Sequence, residues 1–323
     1  MKKALITGIN GFAGSHLAEH ILANSLGEVH GIVRGKTADL SNIRHILKDI
    51  DVRKCDITDF FSLRRAIRET NPDYVFHLAA QSYVPESWKS PFETMQSNAV
   101  GSLNLLEAVR DATPDATVHV ASSSEVYGLV HGNELPIKET NPLRPLSPYG
   151  VSKAAMDLLA YQYHMSYGMK IARTRAFNHT GPRRGEVFVT SNWAKQIVEI
   201  EKGARKPEIS VGSLDSRRDF SDVRDVVRAY WLAAQKCADG DAYNICSGSS
   251  ITMQELLGKM LSLAKGRAAG KIGIKTDPTR LRPSDVKNLL GDCSKIREKT
   301  GWKPEYKLET TLQDLLDYWR EKI

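Results

Sequence analysis

Lys3-Ala4-Leu5-Ile6-Thr7-Gly8-Ile9-Asn10-Gly11-Phe12-Ala13-Gly14 decides the architecture of this 323-residue chain. Residues 3–7 read as a strand, the three glycines at three-residue spacing as a turn, and 15–24 as a helix. A second strand at 29–33 completes a βαβ unit, because parallel strands need such a crossover. Glycines in this position let a pyrophosphate approach the backbone at a helix N-terminus. A tight turn that binds nothing would need neither the strand before it nor the helix behind it. The spacing also differs from Gly-x-Gly-x-x-Gly, the pattern of other dinucleotide folds.

Outward from that unit the rhythm repeats. A helix near 62–69, a strand at 74–78, a helix at 98–112 and a strand at 117–122 follow, then a long helix at 149–167 and a strand at 171–176. The pattern predicts an α/β fold, a doubly wound parallel Rossmann sheet. Beyond residue 176 it loosens into a Pro/Arg/Gly loop and scattered helices. We therefore expect two units: 1–176 with about 212–247 as the dinucleotide-binding Rossmann domain, and about 177–211 with 248–323 as a smaller substrate-binding α/β domain. Internal repeats and low-complexity tracts are absent from the sequence.

With 41% hydrophobic and 26% charged residues the composition is that of an ordinary globular protein. The formal net charge of +7 is spread along the chain rather than massed in a tail, which suits an anionic small-molecule ligand better than nucleic acid. Cys55, Cys237, Cys246 and Cys293 form no Cys-x-x-Cys pair, so neither a metal site nor a disulfide framework is expected. The apolar run after Met1-Lys2-Lys3 is too short for a signal peptide, and no segment reaches membrane-spanning length. The expectation is a soluble cytoplasmic protein with no nucleic-acid or membrane partner.

Arg34 closes the second strand, where selective sites for NAD place a carboxylate on the ribose 2′-hydroxyl. A guanidinium there suits a 2′-phosphate, so NADP(H) is the expected cofactor and NAD(H) the alternative. Asp56 could accept from an adenine amino group, and its rival role as a helix cap could fall to Thr58 or Asp59. Tyr149 and Lys153, four apart behind Pro148, project from one face of a helix. A lysine beside a phenol favours the phenolate. Ala121-Ser122-Ser123-Ser124-Glu125 follows an apolar strand and brings hydroxyls and one carboxylate to the carboxyl edge of the sheet, where ligands bind. Glu125 could serve there as a general base towards a carbon-bound proton.

Taken together these residues resemble the extended short-chain dehydrogenase/reductase family, from Lys3 to about Tyr318. The segments Glu28-Val29-His30-Gly31-Ile32-Val33-Arg34, Leu78-Ala79-Ala80-Gln81-Ser82, Phe177-Asn178-His179, Pro182-Arg183-Arg184-Gly185-Glu186-Val187-Phe188-Val189-Thr190 and Arg218-Asp219-Phe220 look like the GDP-mannose 4,6-dehydratases. So does Arg282-Pro283 followed by Leu289-Leu290-Gly291. Ser87-Trp88, Tyr243-Asn244-Ile245-Cys246-Ser247-Gly248 and Leu281-Arg282-Pro283-Ser284 look closer to the GDP-4-keto-6-deoxy-mannose reductases.

The resemblance implies an NADP-dependent lyase acting on a GDP-hexose, with the reductase as the alternative. It puts Ser123, Glu125, Tyr149 and Lys153 in catalysis. Gly8, Asn10, Gly11, Phe12, Ala13, Gly14, Arg34, Asp56, Ile57, Leu78, Ala79, Ala80, His179 and Arg184, with Tyr149 and Lys153, fall to the cofactor. Ser82, Asn178, Val189, Lys195, Arg218 and Arg282 fall to the nucleotide sugar. A homodimer is implied, with a tetramer as the alternative. The loop after Arg34 lacks the second arginine and the serine-rich run with which the dehydratases reach a neighbouring subunit's cofactor.

Overall fold

Seven parallel strands form the central sheet of the computed structural model, which describes residues 1–323 apart from 36, 271 and 281–285. The strands of the chain are β1 (Lys3–Thr7), β2 (Glu28–Val33), β3 (Ile50–Lys54), β4 (Tyr74–His77), β5 (Thr117–Ala121), β6 (Ile171–Ala176), β7 (Asn178–Thr180), β8 (Glu208–Val211), β9 (Arg217–Asp222), β10 (Asp239–Ile245), β11 (Ser250–Thr252) and β12 (Gly273–Thr276). The large sheet runs β3-β2-β1-β4-β5-β6-β10. Its order reverses between β1 and β4, the switch point outside which such sheets bind ligands.

β1 is buried on both faces, from Ala4 to Thr7, as a strand covered by helices on each side must be. Successive side chains point to opposite faces, so Ile6 joins one apolar cluster with Leu17, Ile21, Phe76 and Trp231 while Leu5 joins another with Leu63, Leu105, Val109 and Met156. A third cluster gathers Trp193, Ile197, Ile209, Phe220, Leu256, Leu312 and Trp319 away from the large sheet.

Two segments sit elsewhere than the sequence division suggests. β9 pairs with β7 and β11 in a separate three-stranded sheet, and its Phe220 belongs to the third cluster. The Ser294–Thr300 helix lies against the Val223–Lys236 helix and β10, burying Ile296 and Trp302 in the first cluster. Trp302 is drawn there by packing and by a hydrogen bond from its Nε1 to the Asp225 carbonyl at 2.9 Å. Among the described residues no helix is long and apolar enough to cross a membrane, and no group of three or more acidic, His or Cys side chains could hold a metal ion.

Candidate active site

Two glycines of the opening turn, Gly8 and Gly14, have a steric reason. Gly8 adopts φ +71, its N–H donates to the Ile32 carbonyl at 2.8 Å, and a Cβ there would lie 3.0 Å from the Ala79 backbone. A Cβ at Gly14 would approach the Gly8 carbonyl oxygen to 2.3 Å. The helix can therefore begin at Phe12, hard against the strand, with Gly11 extended at its N-cap. The first-turn N–H groups of Phe12, Ala13 and Gly14 have no acceptor within the helix and face the carboxyl edge of the sheet. That is a cradle fitted to a pyrophosphate.

Around the cradle, Asn10 donates to the Asp39 carbonyl at 2.8 Å and accepts at its own carbonyl from Asn42 at 3.0 Å. Arg34 is exposed at the end of β2 and has no ion-pair partner among the described residues. Asp56 uses one carboxylate oxygen, Oδ1, for the N–H and hydroxyl of Thr58. Asp59 caps the Phe60–Thr70 helix by accepting from the Ser62 N–H, so the cap does not fall to Asp56. Ile57 is buried against Gly101, where a Cβ would come within 2.7 Å of its side chain.

A buried relay joins this cradle to the helix of Tyr149. The Thr7 hydroxyl accepts from the N–H groups of Leu78 and Ala79, both at 3.1 Å, and so donates to His77 Nδ1 at 3.0 Å. His77, neutral because burial holds its pKa down to about 3, then donates from Nε2 to Ser102 at 2.9 Å. Ser102 donates to the Asn98 carbonyl. The Asn98 side chain brackets Gln81, accepting from its N–H at 2.8 Å, and donates to Ser152 Oγ at 2.9 Å. Ser152 donates to the Tyr149 carbonyl at 2.7 Å. A π-helical turn at Gln96–Val100, just before the Gly101–Ala112 helix, carries Asn98. Sequence reasoning missed the whole relay, whose signal was polar residues at buried positions of strand and helix, at Thr7, His77 and Ser102.

Ser147 caps the Pro148–Tyr167 helix, accepting from the Gly150 N–H at 3.0 Å, and Pro148 takes the first turn, where a missing N–H costs nothing. Tyr149 and Lys153 are then both buried, 8% and 4% exposed. Of the three serines after β5, Ser123 is the one near enough to the Tyr149 phenol to pull its pKa down, and its Oγ accepts from the Glu125 N–H at 3.2 Å. Glu125 is half-buried and close enough for its charge to act on Tyr149.

The electrostatics differ from the sequence expectation. Burial pushes the Tyr149 phenol up to about 12, against the opposing pull of Ser123 and of the Arg184 charge. Lys153 does not offset this. Its Nζ lies 6.0 Å from the phenol ring centroid and donates to the Ala121 carbonyl at 2.8 Å. Burial holds Lys153 down to about 8, with Asp157 opposing. Asp157, one helical turn further on and wholly buried, receives Arg173 Nη1 at 2.5 Å and Arg175 Nε at 3.0 Å. The four-residue step from Lys153 was the signal that could have found it.

Arg184 stands between the two halves, its guanidinium carbon 4.8 Å from the Phe12 ring centroid and 3.5 Å from that of Phe188. Phe12 in turn stacks on His179 at 5.8 Å. Asn178 presents a buried side-chain oxygen that no donor among the described residues satisfies. Ser82 is exposed on the loop after Leu78, Ala79 and Ala80, and Val189 is exposed at the start of the Val189–Glu201 helix. Lys195 is engaged by Glu186. Arg218 Nη1 donates to the carbonyls of Arg217 and Val286, at 2.8 and 2.6 Å. Arg282 lies outside the described residues.

The glycine turn at the start of the Phe12–Ala23 helix could hold a dinucleotide, and Ser123, Glu125, Tyr149 and Lys153 gather at the same carboxyl edge of the sheet. A family model for GDP-mannose 4,6 dehydratase matches residues 5–315. The chain belongs to the GDP-mannose 4,6-dehydratase family. The GDP-mannose 4,6-dehydratase of Yersinia enterocolitica is 37% identical, over 98% of this chain and 93% of its own length. The GDP-6-deoxy-D-mannose reductase of Pseudomonas aeruginosa is 32% identical, over 100% and 98%. A solved structure of RMD from Pseudomonas aeruginosa complexed with NADPH superimposes with a TM-score of 0.84 at 31% identity, over the full length of both chains. Relatives named for two activities, a dehydratase and a reductase, thus align with nearly the whole of this chain.

Proposed function

We propose that the chain is a GDP-mannose 4,6-dehydratase-like lyase that converts a GDP-hexose to its 4-keto-6-deoxy form. The observation that carries this is the convergence of Ser123 and Glu125 on Tyr149, in a chain whose family model spans residues 5–315. NADP would supply the acceptor for oxidation at C4 and the donor for reduction at C6, leaving no net redox change. Tyr149 accepts the O4 proton as C4 is oxidised, and Ser123 steadies the phenol and the sugar oxygen. The new carbonyl acidifies C5, and Glu125 removes that proton as the C6 hydroxyl leaves as water. Lys153 and Asn178 position the two ligands, and the Gly8–Gly14 turn holds the pyrophosphate. The large sheet with its helices serves the dinucleotide, and the third apolar cluster supports the sugar-nucleotide side.

A second reading, reduction of a 4-keto sugar with Tyr149 as proton donor, has its own support. The reductase aligns over 322 residues with all of this chain, whereas the Yersinia dehydratase needs 351 aligned positions for 98% of it, so the dehydratase carries segments this chain lacks. Incubation with GDP-mannose and a catalytic amount of NADP separates the two. Loss of one water by mass, with C5 taking up deuterium from solvent, is the expected result, and an unchanged sugar would favour the reductase.

Arg34, exposed and uncommitted beyond β2, favours NADP(H) over NAD(H). Arg34→Ala should narrow that preference by roughly tenfold to a hundredfold, the value of a hydrogen bond to a charged group. Equal affinities for the two dinucleotides in the unmodified protein would remove the assignment.

The protein is also proposed to be a cytoplasmic homodimer. Val151, Leu158 and Met165 recur at seven-residue spacing along one exposed stripe of the Pro148–Tyr167 helix, and Val100 and Leu103 are exposed at the start of the Gly101–Ala112 helix. An apolar stripe of that length suits a second copy of the same helix.

A further inference from the structure

The turn that carries Arg184 is built against its own sequence. The Arg184 N–H donates to the Gly181 carbonyl at 3.2 Å, closing a four-residue turn with Pro182 second and Arg183 third. Arg183 has φ +69. A proline followed by a residue of positive φ is the pattern of a type II turn, whose third position favours glycine. Here it is occupied by the bulkiest of the charged side chains.

That side chain is fully engaged. Arg183 Nη1 and Nη2 fork onto the Glu19 carboxylate at 2.7 and 2.6 Å, and Nη1 also donates to the Asn42 carbonyl at 3.1 Å. Nη2 donates to His16 Nδ1 at 2.7 Å, and His16 Nε2 lies 3.0 Å from the Pro182 carbonyl. These contacts are consistent only if His16 is neutral with its proton on Nε2, and burial, aided by the Arg183 charge, holds its pKa down to about 4. His16 and Glu19 both lie on the Phe12–Ala23 helix, the one that opens at the glycine turn. The clamp therefore ties both middle residues of the Gly181–Arg184 turn to the dinucleotide side of the molecule.

The next residue gains from it. Arg184 follows directly on the clamped turn with its guanidinium in the slot between Phe12 and Phe188, and Phe188 is the N-cap of the helix that presents Val189 and Lys195. We propose that Arg183 is a positioning residue: its clamp on Glu19 and His16 fixes Arg184 against the bound dinucleotide and links that contact to the sugar-nucleotide side through Phe188. The inference rests on the reading of Arg184 as a dinucleotide contact.

The test is NADPH affinity, read by fluorescence titration, in Arg184→Ala, Arg183→Ala, Arg183→Gly and the Arg183→Ala/Arg184→Ala double variant, with thermal melting as the check on folding. Arg183→Gly is the decisive one, since glycine keeps the backbone preference for positive φ and removes only the clamp. Arg184→Ala should weaken NADPH binding by about tenfold or more. Both Arg183 variants should approach that loss, and the double variant should bind no more weakly than Arg184→Ala alone, because Arg183 acts through Arg184. Wild-type affinity in Arg183→Gly, or losses that multiply in the double variant, would overturn the proposal. If instead Arg184→Ala itself binds normally, the reading of Arg184 as a dinucleotide contact fails.

Discussion

Tyr149→Phe should lower turnover by roughly 10²–10⁴-fold, the range for a lost acid/base group, while leaving the affinities for GDP and NADP unchanged. The phenol is buried, the backbone about it is fixed by Ser152 on the Tyr149 carbonyl and by the Ser147 cap on the Gly150 N–H, and only the hydroxyl is removed. The structure adds a pH arm. Ser123 pulls the Tyr149 pKa down against burial, so Ser123→Ala should raise it. Oxidation at C4 needs the phenolate as proton acceptor, so the rising limb of turnover against pH should move to higher pH in Ser123→Ala. A limb that stays in place would show that another group titrates, and near-normal turnover in Tyr149→Phe would remove the tyrosine from the mechanism.

Glu125→Gln tests the step that separates a lyase from a simple reductase. The carboxylate sits two residues past Ser123, in the short 3₁₀ turn Ser124–Val126 after β5, and no described residue claims its oxygens. Dehydration should fall by roughly 10²–10⁴-fold while both ligands still bind and oxidation at C4 survives. The variant should then hold a 4-keto sugar together with reduced dinucleotide, visible by its absorbance, and exchange of the C5 proton with solvent should vanish. Full dehydration by Glu125→Gln would assign the proton abstraction elsewhere.

Much of the large sheet was legible because its signals are local. Glycines between a strand and a helix, and apolar runs at regular spacing, placed β1, β2, β4, β5 and β6 within about a residue or two of where they lie. The pairing of β9 with β7 was not legible, since strands of three and six residues carry little periodicity and their partners are set by tertiary packing. Within the site, Tyr149 and Lys153 could be read from helical spacing, but the direction of the Tyr149 shift could not. It depends on burial and on where the Lys153 ammonium points, and neither is written in a four-residue interval. Arg183 could be read as part of the Pro182–Thr190 segment but its clamp could not, because a positive φ leaves a sequence signal when glycine fills it and none when arginine does.

The relay from Thr7 to Ser152 also sets an acid limit on the fold. His77 is kept neutral with its Nδ1 accepting from Thr7, so a second ring proton would have to break that bond inside a closed interior. In the unfolded chain the same imidazole takes up a proton near pH 6.5. Between there and its folded value of about 3, the unfolded state therefore binds more protons than the folded one, and stability declines as pH falls through that window. The slope for one such group is about 1.4 kcal/mol per pH unit. The residue that links the Gly8–Gly14 turn to the Pro148–Tyr167 helix thus makes the fold progressively less secure as its surroundings turn acidic.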